Sequence, residues 1–262
     1  MRSFTIATTI LLAATSTLAA PVNSTLHFYG KRDAVCAANF RSLVDKAECL
    51  PTKEQFTLTP PSTINRVALA ANELTSGPAD AQCDHLVEIQ LLDRVAKASG
   101  LCEMITQMIK ADPDNQKKAD ILNKASQDIS ALGNLNFLAS TVNNRKKTVV
   151  DRSLKGKAQQ NGDLDKAVGN FLRLVQANGA SVAKQLDADL SAIKTKAEAV
   201  LAALPPAGPA DPDSGTRKSS RLTEDPNAKR RKPLEDAIAA FSKSTITVTS
   251  EWNKLIANAP HT

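Results

Sequence analysis

Aromatic residues are scarce in this chain of 262: one Trp, one Tyr and seven Phe. With Ala, Leu, Lys and Asp abundant, that composition favours helices over a β-sandwich. Cysteine is limited to Cys36, Cys49, Cys83 and Cys102, and no C-x-x-C pair occurs, which argues against a zinc knuckle. Apolar runs long enough to span a bilayer are missing, so no membrane partner is expected. Only three histidines are present, so each one has to be accounted for.

The N-terminus has a recognisable pattern. Arg2 precedes "FTIATTILLAATSTLAA", which ends in small residues before Pro21. This reads as a secretory signal over 1–20, too short for a membrane anchor. Residues 21–32 read as a pro-segment closed by the dibasic Lys31-Arg32, with the sequon at Asn23 inside it. The protein is therefore expected to be secreted and extracellular. An even cysteine count on that route predicts two disulfides among three pairings, of which the local ones, Cys36 with Cys49 and Cys83 with Cys102, are the simplest.

Charge is informative once divided. The chain carries +6, and residues 1–32 hold three basic residues and no acid, leaving +3 for the remainder. Residues 141–160 alone hold Arg145, Lys146, Lys147, Arg152, Lys155 and Lys157 against Asp151. The basicity is a patch, and the rest of the chain is slightly acidic.

Periodicity predicts helices over 34–48 and 63–76, the latter capped by Ser62 or Thr63 after Pro60-Pro61 and stopped by Gly77-Pro78. From Cys83 the period fits helix or strand. Helices are expected over 101–110 and 116–131, and a short strand around Phe137 and Leu138. Residues 161–204 read as a helical hairpin with an apolar face of Leu164, Val168, Phe171, Leu172 and Val175 and, past an interruption at Asn178-Gly179, a second of Val182, Leu186, Leu190, Ile193, Ala197, Val200 and Leu204. Residues 205–233 read as a mobile basic linker. Residues 234–262 read as a terminal helix carrying Ile238, Phe241, Trp252 and Leu255, with "STITVTS" arguing against one unbroken helix.

Within 33–160, "CDHLVEIQLL" sets Asp84 beside His85 at the head of an apolar run. About fifty residues later, "NLNFLASTVNNRKK" supplies Asn134, Asn143, Asn144 and three cations. Together these stretches resemble the HNH, or His-Me finger, nucleases, in which a ββα-metal unit carries an Asp-His pair, a strand opened by Asn, and a helix bearing His or Asn before basic residues. The resemblance covers two short pieces. The interval between them is longer than in most members, and a second histidine is lacking. It implies a mainly α chain with a small HNH-like ββα unit, secreted and disulfide-containing.

The resemblance also implies roles. His85 is the general base and Asn134 orients its imidazole, because water must lose a proton near neutral pH. Asp84 and Asn144, with Asn143 as the alternative to Asn144, bind a divalent metal ion, Mg²⁺ or Mn²⁺, since both offer hard oxygen ligands. Arg145, Lys146 and Lys147 contact phosphate, making nucleic acid the expected partner through 145–157. Glu88 is a further ligand or a surface carboxylate. A bridge from Cys83 would brace the strand that bears Asp84 and His85.

The function implied is a metal-dependent nuclease acting on DNA or RNA, as a toxin or effector. Arg217-Lys218 and "KRRK" at 229–232 have the spacing of a nuclear import signal, which fits entry into a target-cell nucleus; a processing site and a solvated linker are the alternatives. The competing reading is a non-enzymatic helical secreted protein that binds a surface, a wall polymer or a partner, broadly similar to secreted fungal surface-binding helical proteins. In that case His85 is packing.

Overall fold

The computed structural model describes residues 34–40, 46–206 and 226–260. The expected signal and pro-segments, and Arg217-Lys218, lie outside these residues. A two-stranded hairpin, β1 (Ala34–Val35) with β2 (Ala38–Asn39), precedes the short helix α1 (Lys46–Cys49). A four-stranded sheet follows, built from β3 (Glu54–Thr59), β4 (Thr63–Ala68), β5 (Ala81–His85) and β6 (Leu135–Ala139) in the order β4-β3-β6-β5. β6 runs parallel to β3 and antiparallel to β5. Between β5 and β6 lie α2 (Ile89–Ala98), α3 (Leu101–Ala111) and α4 (Lys118–Ile129). After β6 come α5 (Ser140–Leu154), α6 (Asp163–Leu174), α7 (Gln176–Ala203), α8 (Pro226–Lys243) and α9 (Val248–Asn258). The described chain is mainly helical with small sheets.

Two predicted helices fail over most of their described length: 34–40 is a hairpin, with 41–45 outside the described residues and helix only from Lys46, and 63–68 is a strand. Over 34–40 the chain turns sharply, with Cys36 and Ala37 at positive φ (51° and 65°), and a disulfide fastens that turn. Over 63–68 the β-branched Thr63, Ile64 and Val67 pair along all six positions of β3. Pro60, Pro61 and Ser62 form the turn of this hairpin and do not lead into a helix.

The local disulfide pairing is also corrected. Cys36 joins Cys102, tying the first hairpin to α3, and Cys49 joins Cys83, tying α1 to β5. The closed loops span 66 and 34 residues. Loop-closure entropy of that size is worth about 4 kcal/mol for each bridge.

One main core runs from Val35 to Ala259 and takes in every helix from α2 to α9. A smaller cluster of Cys49, Leu69, Ala81, Leu135 and Phe137 lies on the other face of the sheet. The apolar stripes of α6 and α7 point into the main core, as the amphipathic pattern predicts, except that Leu164 at the start of α6 is exposed. The break between these helices falls at Val175, three residues before Asn178. Gly179 lies inside α7, where its missing side chain admits Trp252: a Cβ there would sit 2.2 Å from the indole. The Trp252 indole N–H donates to the Gln176 carbonyl at 3.3 Å.

The expected linker is partly helical. α8 begins at Pro226, and Arg231 donates to the Leu201 (3.1 Å) and Leu204 (2.7 Å) carbonyls, satisfying the last turn of α7. The "KRRK" run therefore belongs to a structural helix start. "STITVTS" does divide the terminal segment. Thr247 caps α9, while the Asp187 carboxylate of α7 accepts from Val248 N at 2.6 Å and Thr249 N at 3.0 Å.

Where α4 meets α7, Asp189 faces Asp128, with Lys124 on Asp128 and Gln185 beside Asp189. Burial, then repulsion from Asp128, pushes the Asp189 carboxyl up to about 6. Burial opposes ionisation of Asp128 as well, but its bonds to Lys124 and Asp189 outweigh that and hold it below the usual range. Because the folded state keeps a proton on Asp189 that the unfolded chain releases near pH 4, this group favours folding below about pH 4 and loses that contribution as pH rises through about 6. Asp189→Asn should therefore raise stability by roughly 1–2 kcal/mol at pH 8 and change little at pH 4, measured by urea denaturation at both pH values.

Candidate functional site

Strand alternation decides what Asp84 and His85 can reach. In β5, Gln82 and Asp84 project towards α5, whereas Ala81, Cys83 and His85 project to the opposite face. The contacts agree. Asn143 Nδ2 donates to Gln82 Oε1 at 2.8 Å and Lys146 Nζ to Asp84 Oδ2 at 2.5 Å, both from α5. Ala81 and Cys83 pack in the small cluster with Leu135, the residue paired with His85 across the strands. His85 is 6 % exposed.

The group that does assemble is Asp84, Glu88 and Lys146. Glu88 sits at the corner where β5 gives way to α2, so it shares a side with Asp84. Lys146 Nζ lies 2.5 Å from Asp84 Oδ2 and 2.8 Å from Glu88 Oε1, and it also donates to the His85 carbonyl. Its Nζ stands 5.5 Å from the centre of the Phe171 ring on α6. The Lys146 side chain is 0 % exposed, and each carboxylate side chain is 13 % exposed. Burial works against the charge on Lys146, but Asp84 and Glu88 outweigh it and hold the ammonium above the usual lysine range. Two carboxylates and a carbonyl thus surround a cation that the chain itself supplies.

The remaining expected site residues are dispersed. Asn134 is fully buried, and its amide is engaged by backbone: Oδ1 accepts from Val87 N at 2.7 Å, and Nδ2 donates to Val87 O at 3.1 Å and Ile129 O at 2.7 Å. It fastens the β5–α2 corner to the end of α4. It is Asn136, two residues on, whose amide reaches the Asp84 carbonyl, at 2.9 Å. Asn144 is exposed on α5. Among the described residues, no group of three or more His, Cys, Asp or Glu side chains is placed to hold a metal ion.

The basic patch is smaller than its sequence count. Arg145 binds Asp165 through two parallel bonds of 2.8 and 2.9 Å and also reaches Gln160; the Asp165 bonds raise its affinity for its proton. Lys146 is buried, and Lys155 pairs with Asp151 at 2.7 Å. Arg152 spends two N–H groups on the Ala158 carbonyl and meets no carboxylate among the described residues. Of the six cations, Lys147, Arg152 and Lys157 keep charge without a paired acid among the described residues.

The burial of Lys146, though not its partners, is legible in the sequence. Val142, Lys146, Val149 and Val150 occupy one helical face, so Lys146 interrupts an apolar stripe and Lys147 falls outside it. Removing one partner of a buried ion pair costs about 3–5 kcal/mol. Lys146→Ala should lose stability on that scale, while Lys147→Ala, one residue away, should change it by no more than about 0.5 kcal/mol. Urea denaturation of the two variants side by side measures this difference.

Among the described residues, no helix is long and apolar enough to cross a membrane. No protein-family model, curated protein or solved structure matches the chain.

Proposed function

We propose that this chain acts by binding and not by hydrolysis, as a secreted, disulfide-braced, mainly helical interaction protein. The observation that carries this reading is the Lys146 ammonium held between Asp84 and Glu88. A hydrolytic metal ion needs oxygen ligands with charge to spare, and here an internal cation occupies those ligands. The two disulfides and the signal-like N-terminus support the extracellular setting.

The binding surface is polar. The apolar stripes of α6 and α7 are committed to the core, so a partner meets the outer faces of the helices. Lys147, Arg152 and Lys157 are the cations that a polyanion would contact, and three is a small number for tight nucleic-acid binding. DNA binding should therefore weaken with salt along a log–log slope no steeper than about −3, against about −5 if all six cations of the segment engaged phosphate. Fluorescence anisotropy across a salt series reads that slope.

A second reading, the HNH-type nuclease, is favoured by one observation: β5, β6 and α5 follow the strand–strand–helix arrangement that the resemblance implies, with β5 antiparallel to β6. On this reading Lys146 swings away, Asp84 and Asn144 take Mg²⁺ or Mn²⁺, and His85 turns to a water. The test is cleavage of plasmid, single-stranded DNA and RNA by the purified protein with each metal. The binding reading expects no products beyond those of a His85→Ala control. Metal-dependent cutting that disappears in both His85→Ala and Asn144→Ala would overturn it in favour of the nuclease.

A further inference from the structure

Lys146, Asp84 and Glu88 form an arrangement with a chemical consequence that neither reading uses. A primary amine and a carboxyl group are held in contact, with a second carboxyl group touching the same nitrogen, under an aromatic ring and away from solvent. We propose that Lys146 Nζ and the Asp84 side chain condense to an intramolecular amide, an isopeptide cross-link between α5 and β5, with Glu88 as the proton relay.

The step balances within the three side chains. Nζ begins as an ammonium with three protons beside two carboxylates. Glu88 takes one proton from Nζ and passes it to an Asp84 oxygen, while the neutral amine attacks Asp84 Cγ. A second proton leaves Nζ as the tetrahedral centre collapses, and the Cγ–O bond breaks. One Asp84 oxygen departs as water carrying both protons. Nζ keeps the third proton as an amide N–H, and Glu88 ends as it began. No oxidant, nucleotide or metal is consumed.

Three features of the site favour a reaction that is unfavourable between free amines and acids in water. Contact at 2.5 Å replaces a bimolecular encounter with an intramolecular one, for which effective molarities reach about 10⁵ M or more. Burial keeps bulk water away from the junction, which disfavours hydrolysis of the amide once the released water has left. Glu88, 2.8 Å from the same nitrogen, supplies a base that reaches the proton without solvent. The other lysine–carboxylate pairs among the described residues lack this combination. Lys97–Asp93, Lys155–Asp151 and Lys194–Glu198 join neighbouring turns of one helix, with lysine side chains 63, 54 and 30 % exposed.

Mass spectrometry of the reduced and denatured full-length protein tests the proposal. The expected mass is one water below that calculated for the N-terminus the chain carries, and proteolysis should yield a branched peptide joining the Asp84 and Lys146 segments. Glu88→Gln keeps the shape but removes the relay, so it should return the mass towards the unmodified value. Asp84→Ala should abolish the branched peptide. If folded wild-type protein shows the unmodified mass, or a water loss that maps to a single unbranched peptide, the proposal is wrong. Because the wild-type protein gives the decisive reading, poor folding of either variant leaves the test intact. An Asp84–Lys146 amide leaves Asp84 no carboxylate for a metal ion, so metal-dependent cutting that is lost in Asp84→Ala would also overturn the proposal.

Discussion

The fold is organised around a charge in an apolar place. Moving a lysine head group out of water costs several kcal/mol, and only well-placed oxygens offset that. Lys146 finds two carboxylates and a carbonyl at the junction of β5 and α2, and an aromatic face on α6. Because these partners belong to separate elements, the ammonium fixes how α5 lies across the sheet. An alkyl side chain at position 146 would pack without setting that register. The attraction is directional, and sliding α5 by one turn would leave both acids buried and unneutralised.

Other long-range ties converge on the same strand. β5 is at an edge of the sheet, where exposed backbone groups invite unwanted pairing. It is tied by the disulfide from Cys83 to Cys49, by Asn136 on the Asp84 carbonyl, and at its end by Asn134 across Val87. Residues whose types suggest catalysis (two asparagines, two acids and a lysine) thus serve as fasteners. Buried polar groups with partners confer specificity of packing, and His85, Asn134, Asn136 and Lys146 are all buried at this corner.

Where the sequence was legible, one rule sufficed locally. The stripes of α6, α7 and α4, and the strand at Phe137, follow from spacing alone. Where it misled, the deciding contact was distant. Thr63–Ala68 could have been helical until β3 offered six partners, and Ala34–Asn39 until Cys36 met Cys102. The bridges joined cysteines 66 and 34 apart, separations that no local argument selects. At the candidate site the residue types stand out in the sequence, but the alternation that parts Asp84 from His85 and the apolar neighbours of Lys146 decide what they do. Both are elementary periodicities, two for the strand and 3.6 for the helix. The pairing of Asp84 with Lys146, across 62 positions, was beyond reach without the fold.

The missing side chain at Gly179 has a consequence for biosynthesis. α7 emerges from the ribosome more than forty residues before the indole that fills its notch. Until Trp252 arrives, the notch in α7 stays unfilled, and the packing of α7 against α8 and α9 is still unmade. The core that α7 shares with α8 and α9 therefore closes only once the C-terminal helix has been synthesised.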